Sequence, residues 1–205
     1  MLFRSKQQKL SPQDRAREWK KSIRQERRGL ERSMRKIERE EEKVKLKVKN
    51  LMKQGHSDAI MPLVKEIAAS KKSRSKLLKT CTQLDSMVRQ IDLQIAQVKV
   101  CGTFQKSAEV TKMMNQMVRL PEMQNTMMHL QQEMEKSGLM EETIDETMDM
   151  MQDDTEAEDQ ELAVKLVYNE IAKETSKQTG KPIEQIPIDQ EELDENPDTV
   201  KLAAL

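Results

Sequence analysis

Aromatic residues are nearly absent from this sequence, which has one Trp, one Tyr and two Phe among 205 residues. Glycine and proline are also scarce, at five and six residues, whereas 36% of the residues are hydrophobic and 35% are charged. A compact enzyme core needs large apolar side chains and frequent turns, whereas long amphipathic helices need neither. The composition therefore predicts an all-α protein whose core is a thin seam between long helices.

Side chains that perform catalysis or bind metals are equally scarce. His56 and His129 are the only histidines, and Cys81 and Cys101 are the only cysteines. The sequence has no Gly-rich phosphate loop, no nucleophile elbow and no Cys/His cluster with metal spacing. Two cysteines are too few for a disulfide framework and fit reduced cytosolic thiols. We therefore expect no enzymatic activity, no catalytic residue, no metal and no cofactor.

Long hydrophobic runs are missing as well. No apolar stretch approaches the length of a membrane span, and the start of the chain lacks the apolar core of a signal peptide. We therefore expect a soluble protein whose contact with a membrane is peripheral.

The formal net charge is zero, but the charges are unevenly distributed. Residues 1–100 carry 27 basic and 12 acidic side chains, a balance of +15. Residues 101–205 carry 9 basic and 24 acidic side chains, a balance of −15. This asymmetry indicates a basic half that meets an anionic surface and an acidic half that can fold back on it.

A seven-residue repeat marks the first long helix, which we expect over about residues 16–53. Its apolar positions are Ala16, Ile23, Leu30, Ile37, Val44 and Leu51, flanked by Met34 and Val48. This spacing makes one narrow seam for a second long helix. Ser11 and Pro12 suit a helix start, and Gly55 suits a helix end. A second apolar helix to about Val100 would complete an antiparallel hairpin over residues 16–100.

Seven cations lie nearly opposite this seam on the first helix, at steps of three and four residues. This basic row consists of Arg17, Lys21, Arg24, Arg28, Arg32, Arg35 and Arg39. A solvated face is the ordinary interpretation of such a row, but its nearly single sign favours a surface for an anionic membrane. Residues 1–15 form a basic lead, in which Leu2 and Phe3 can insert between lipid headgroups.

Shorter helices are predicted after the hairpin, over residues 103–151. The first is expected at residues 107–120, and Pro121 should open the second. Eleven of the sixteen methionines fall between Met113 and Met151. Flexible thioethers suit a surface that repacks, so we interpret this segment as mobile helices that exchange contacts.

An acidic linker and one more amphipathic helix are expected over residues 152–175. The apolar side of this helix carries Val164, Val167, Tyr168 and Ile171. Beyond it, residues 176–205 are acidic and are expected to be mostly disordered.

The segment from Lys106 to Met151 closely resembles the central part of ESCRT-III subunits of the Snf-seven family. The resemblance rests on the runs SAEV (Ser107–Val110), LPEM (Leu120–Met123) and KSGLMEE (Lys136–Glu142), together with REEEKVK at residues 39–45 of the first helix. It extends over about residues 12–175.

This resemblance implies a fold and a function. Members of the family have a hairpin of two long helices, shorter third and fourth helices, and a fifth helix that docks on the hairpin and holds a closed state. They polymerise with other ESCRT-III subunits on membranes and drive scission in multivesicular body formation. The resemblance thus makes Val164, Val167, Tyr168 and Ile171 autoinhibitory contacts. It also implies a cytoplasmic protein bound peripherally to late endosomal membrane.

Family members often end in a short motif that an AAA ATPase grips through its MIT domain. Four residues fall on that frame: Glu195, Lys201, Leu202 and Leu205. Asp198 stands where the first leucine belongs, and the sequence stops before the final basic residue. The resemblance therefore implies MIT-domain partners that bind this tail weakly.

Two other functions are alternatives to this one. A basic helical nucleic-acid-binding protein would need stacking platforms, and Phe3 and Trp19 are the only aromatic residues of the basic half. We therefore expect no nucleic-acid partner. A plain coiled-coil scaffold would need continuous seams, and these break at Gly102 and Pro121.

Overall fold

Residues 10–140 and 156–203 are described by the structure, a computed structural model. The helices in these residues are α1 (Pro12–Gln54), α2 (Ile60–Cys101), α3 (Ala108–Val118), α4 (Gln124–Lys136), α5 (Glu156–Thr179), α6 (Gln190–Glu195) and α7 (Pro197–Ala203). A short 3-10 turn, Ser57–Ala59, joins α1 to α2. The predicted all-α class and the long hairpin of α1 and α2 are confirmed.

Both ends of α1 follow from local chemistry. Ser11 is the N-cap, because its Oγ accepts a hydrogen bond from the Asp14 N–H (3.2 Å) and donates one to the Asp14 carboxylate (2.6 Å). Pro12 occupies the first helical position, where no backbone N–H is needed. At the other end Gly55 has φ +78°, a left-handed conformation that ends the helix. The predicted cap residues of the first helix are thus confirmed.

The chain divides into two compact units. The first comprises described residues within Met1–Glu31 and Lys79–Met148, and the second comprises those within Arg32–Leu78 and Asp149–Leu205. Each unit therefore contains one stretch of α1 and one stretch of α2. Helices α3 and α4 belong to the first unit, and α5, α6 and α7 belong to the second.

The core of the first unit is built on Trp19 and on methionines. The Trp19 ring is 1% exposed, lies 5.3 Å from the ring of Phe104 and donates a hydrogen bond from Nε1 to Glu133 of α4 (3.0 Å). Residues 114–140 add six buried methionines: Met114, Met117, Met123, Met127, Met134 and Met140. The Met-rich helices are therefore packed in this structure, and an exchange of their contacts stays a prediction.

Helix α4 begins later than the sequence predicts. Ser107 caps α3 by accepting a hydrogen bond from the Val110 N–H (3.4 Å), but α4 opens at Gln124 rather than at Pro121. Pro121 lies in a turn that ends at Met123, which precedes α4 without a side-chain cap and is 2% exposed. The prediction that Pro121 opens this helix is therefore wrong by three residues, and the residue before α4 is held by burial of its side chain and not by a polar cap.

The tail after α5 lies against α5, which differs from the disordered tail that the sequence predicts. The Asn169 side chain bonds both the N–H and the C=O of Ile186 (2.8 Å each), and Ser176 Oγ accepts a hydrogen bond from the Ile183 N–H (3.0 Å). Helix α7 packs on α5 with Thr199 buried. Side chains of α5 thus satisfy backbone groups of the tail, which composition alone does not reveal.

Helix α5 also extends beyond its predicted bounds. It begins at Glu156, inside the expected acidic linker, and continues to Thr179. The last part of the short helices predicted over residues 103–151, residues 141–151, lies outside the described residues. Within the described ranges, no helix has the length and apolar character needed to cross a bilayer.

Candidate functional site

The basic row in the first unit faces solvent. Arg17, Lys21, Arg24 and Arg28 are all exposed on α1. Arg17 pairs with Asp14 in the first turn of the helix (3.1 Å). The side chains of the other three form no ion pair or hydrogen bond with any residue that the structure describes. Their charges are therefore not neutralised by the described part of the chain.

The basic row in the second unit has the same character. Its members Arg32, Arg35 and Arg39 are exposed on α1, and their side chains make no ion pair or hydrogen bond within residues 10–140 and 156–203. Leu2 and Phe3, which the sequence adds to the membrane-binding set, lie outside the described residues.

Other cations of α1 in the first unit do have partners. Lys20 pairs with Asp92 of α2, and Arg15 donates a hydrogen bond to the Ser137 hydroxyl (3.1 Å). Arg27 lies 3.1 Å from carboxylate oxygens of both Glu31 and Asp85. The unpaired state of Lys21, Arg24 and Arg28 is therefore a property of the row and not of α1 as a whole.

The apolar side of α5 packs on the hairpin helices of the second unit. The buried cluster contains Val48 of α1, Ile60, Val64, Ile67 and Ala68 of α2, and Ala163, Val164, Val167 and Ile171 of α5. Val167 is 1% exposed and Ile171 is fully buried, while Tyr168 is partly buried against the cluster. All four residues predicted to make the autoinhibitory contact thus lie at one interface.

Ion pairs also hold α5 against the hairpin helices. Lys45 Nζ lies 3.0 Å from Glu170 and 3.2 Å from Glu174, and Lys71 Nζ lies 3.1 Å from the other oxygen of Glu170. Lys49 Nζ lies 2.7 Å from Glu174. We call these five residues the lysine clasp. It joins α1 and α2 to α5 at the edge of the apolar cluster.

The clasp changes the proton affinity of its members. Burial alone would raise the pKa of Glu170, but hydrogen bonds and charge from Lys45 and Lys71 hold it below its ordinary value. The hydrogen bond from Lys49 lowers the pKa of Glu174, against a smaller effect of burial. Burial opposes the charge of Lys45, yet its bonds to both glutamates raise its pKa. The ionised forms of these residues are thus favoured in the folded chain.

A buried carboxylate lies beside the clasp. Glu41 is 7% exposed, and its Oε2 has no hydrogen-bond partner among the described residues. Arg74 Nη1 lies 3.9 Å from this oxygen. Burial raises the pKa of Glu41, and the charges of Arg74, Lys71 and Lys45 only partly offset that effect. Glu41 therefore takes the position of an apolar residue in the seam at a cost in desolvation.

Acidification is expected to weaken the docking of α5. At a pH above 4.5, the ordinary pKa of a glutamate, ionised Glu170 and Glu174 stabilise the docked state. This contribution is lost as the pH falls through the lowered pKa values that the two residues have in the docked state. Glu41 acts in the opposite sense, because protonation relieves its burial. Amide hydrogen exchange across α5, corrected for intrinsic rates, should show an opening free energy that falls by about 1–2 kcal/mol between pH 6 and pH 3, after allowance for solvent screening.

The control for this measurement is a chain with Glu170→Gln and Glu174→Gln. Glutamine keeps the size of each side chain but has no carboxylate to titrate. The opening free energy of α5 in this chain should be lower at neutral pH and should no longer fall on acidification, because only the opposite effect of Glu41 remains. An acid response equal to that of the unchanged chain would show that other groups hold α5.

Sequence reasoning missed the carboxylate half of the clasp. Glu170 and Glu174 resemble solvated charges of an amphipathic helix, and their lysine partners are about 100 residues or more away along the chain. A usable signal was present, because Glu170 and Glu174 are four residues apart beside the apolar stripe of α5. Lys45 and Lys49 have the same spacing beside Val44 and Val48 of α1.

The predicted MIT-binding residues fall on the last two helices. Glu195 is the final residue of α6, Lys201 is exposed on α7, and Leu202 is also in α7. Leu205 lies outside the described residues. Val200 N–H donates to the Asn196 carbonyl at the start of α7, so a helix does begin after Asn196.

Comparison with known proteins gives consistent matches. The profile of the Snf7 family matches residues 18–200. The chain is 41% identical over 155 residues to charged multivesicular body protein 3 of Xenopus laevis, covering 76% of this chain and 70% of that protein. It is 39% identical over 171 residues to the protein of the same name from Homo sapiens, and the match covers 83% of this chain and 77% of that protein. The matched residues include the basic row from Lys21 onward, the lysine clasp and α5.

Proposed function

The chain belongs to the Snf7 (Snf-seven) family and is an ESCRT-III subunit of multivesicular body sorting and membrane remodelling; on this premise we propose that its basic row binds the anionic surface of late endosomal membrane. Its family is non-enzymatic, and its partners include other ESCRT-III subunits. The proposal adds that it forms hetero-polymers with them on the cytoplasmic face.

One observation carries this proposal: the cations of the basic row are exposed and, apart from Arg17, unpaired within the described residues. Each cation near an anionic leaflet contributes about 1 kcal/mol. Four cations acting together give about 4 kcal/mol, which corresponds to a Kd of roughly 1 mM. A single chain would therefore bind weakly, and a polymer would bind firmly through avidity. Sedimentation with anionic vesicles after charge reversal of the row tests the proposal.

The second part of the proposal is that α5 keeps the chain closed. Its support is the coincidence of two kinds of contact on one helix: the apolar side that contains Val167 and Ile171, and the carboxylates of Glu170 and Glu174. In the closed chain α5 would cover part of the hairpin, and neighbouring subunits could not bind there. Release of α5 would then precede polymerisation.

The third part concerns the tail, which we propose is a weak ligand of MIT domains, including that of the disassembling AAA ATPase. A helix as short as α7 does not persist alone in water and needs a surface to fold on. In the closed chain α5 supplies that surface. An MIT domain would therefore compete with α5 for the same short helix.

Replacing Asp198 by Leu is expected to tighten MIT binding by a peptide of residues 190–205. Asp198 falls where a leucine anchors the family motif, and a carboxylate without a partner cannot enter an apolar groove cheaply. One buried leucine adds about 1.5–3 kcal/mol, so the affinity should rise about tenfold or more. Titration of a fluorescent MIT domain with both peptides measures the change.

A Thr199→Leu peptide serves as the control, because it adds the same side chain one position off the frame. If Asp198→Leu leaves the affinity unchanged or lowers it, the tail uses another frame.

A further inference from the structure

An exposed leucine lies on the solvent side of α1 in the second unit. Leu46 is 58% exposed. Helix α1 lies wholly within the described residues, and no other large apolar side chain of this helix is exposed. Single leucines are common on protein surfaces and need no function of their own. The surroundings of Leu46, rather than its exposure, therefore decide whether it serves a purpose.

Leu46 lies on the line that the basic row follows along α1. Seven residues separate Arg32 from Arg39, and seven separate Arg39 from Leu46. Two turns of an α-helix bring residues with this spacing to nearly the same side. At about 100° per residue, Leu46 falls near the middle of the sector that the row occupies. It thus points to the side of α1 on which the proposed function places the membrane.

Cations continue around Leu46 towards the end of α1. Lys43, Lys47 and Lys53 are exposed, and their side chains make no ion pair or hydrogen bond with the described residues. Glu42 is the only acidic residue within four positions of Leu46. Helices that lie on an anionic bilayer have this arrangement, with cations at the headgroups and an apolar side chain at the acyl boundary.

Docking of α5 leaves this leucine uncovered. Lys45 pairs with Glu170 of α5, and Val48 belongs to the buried cluster that contains residues of α5. Leu46 lies between them in the sequence but on another side of the helix, and it stays exposed. The leucine is therefore accessible in the closed chain.

We propose that Leu46 is an apolar membrane anchor, which enters the acyl boundary of an anionic leaflet while Arg39, Lys43 and Lys47 contact the headgroups. The inference rests on the proposed membrane role of the basic row and adds a second kind of contact to it. Salt weakens the attraction of exposed charges to the leaflet, whereas it does not screen the burial of a leucine. Each subunit of a polymer brings one such leucine, so the anchors act together through avidity.

The test replaces Leu46 by Trp in the full-length chain and measures quenching of its fluorescence by lipids that are brominated along the acyl chain. A hexahistidine tag and a nickel-chelating lipid hold every chain on vesicles that contain phosphatidylserine, whatever the strength of the basic row. Trp19 gives a constant background, because its ring is 1% exposed. Brominated lipid should remove at least about half of the emission that Leu46→Trp adds, because the new ring lies at the acyl boundary.

Leu93→Trp is the control, because Leu93 on α2 is also 58% exposed. Arg89 is the only cation within four positions of Leu93, whereas Leu46 has four cations at that distance. The emission that Leu93→Trp adds should change little with brominated lipid. Equal quenching at the two positions, or none at Leu46, would overturn the anchor.

A second measurement avoids the new aromatic ring. Leu46→Ala should lower the affinity for phosphatidylserine vesicles about threefold or more in a sedimentation assay, and Leu93→Ala should not. The factor should be the same at about 0.05 M and about 0.15 M ionic strength, because burial of apolar surface is not screened. A factor that is absent, or that vanishes at the higher ionic strength, would show that Leu46 does not insert.

The tethered chain separates this inference from the proposed function. Charge reversal of the basic row tests attraction to the vesicle, and quenching in the tethered chain tests insertion. If untethered chains do not bind vesicles but tethered Leu46→Trp is quenched, the anchor stands and the role of the row fails. If the row binds vesicles but Leu46→Trp is not quenched, the row stands and the anchor fails.

Discussion

Replacing Ile171 by Asp is expected to raise the binding of the chain to anionic vesicles, and its self-association, by about tenfold or more. Ile171 is fully buried between α5 and the hairpin helices, next to Val167. Loss of its packing costs about 2–5 kcal/mol, and an unpaired carboxylate in the same place adds to that cost. No other single residue of α5 is expected to shift the balance between docked and released helix so far.

Sedimentation with phosphatidylserine vesicles and analytical ultracentrifugation measure the two effects. The control is Val100→Asp, which adds the same charge at a side chain that is 86% exposed at the end of α2. Amide exchange must show that α5 has lost its protection in the Ile171 variant while α3 and α4 keep theirs. If α5 is released and the chain remains monomeric with unchanged vesicle binding, α5 is not autoinhibitory.

Reversing three charges of the basic row is expected to lower vesicle affinity by about a hundredfold or more. The substitutions are Lys21→Glu, Arg24→Glu and Arg28→Glu, all in the first unit. Each cation lost removes about 1 kcal/mol, and each carboxylate gained adds repulsion from the anionic leaflet. The residues are exposed, so helicity measured by circular dichroism should not change.

A matched control for the row comes from the same unit. The side chains of these residues, Lys106, Lys112 and Arg119, are also exposed and form no ion pair or hydrogen bond with the described residues. Changing these three to Glu alters the net charge equally but leaves the row intact. If both triple variants lose binding to the same extent, net charge and not the row attracts the membrane.

The hairpin could be predicted because its information is local. Ser11, Pro12 and Gly55 act within one turn of their own positions, and the seven-residue repeat needs only its own helix. The middle of the predicted seam is less regular, since Ile37 is only half-buried and Glu41 is buried. Trp19 was missing from the predicted seam although it fills the core of the first unit.

The lysine clasp and the docked tail could not be predicted in the same way. Both depend on pairs that are distant in sequence or on bonds between a side chain and a backbone, such as Asn169 with Ile186. A hydrophobic pattern identifies which face of α5 is buried, but it does not identify the surface that covers that face. The resemblance to ESCRT-III subunits supplied the docking of α5, and the structure adds the charges that accompany it.

Trp19 gives the first unit an optical property of its own. It is the only tryptophan of the chain, so the whole indole fluorescence comes from one place. Its ring is packed beside Phe104, and its Nε1–H is bonded to Glu133 of α4. If α4 leaves, the indole loses that partner and meets water, and its emission should move to longer wavelength. Unlabelled protein can thus report the opening of α4 on a vesicle in real time.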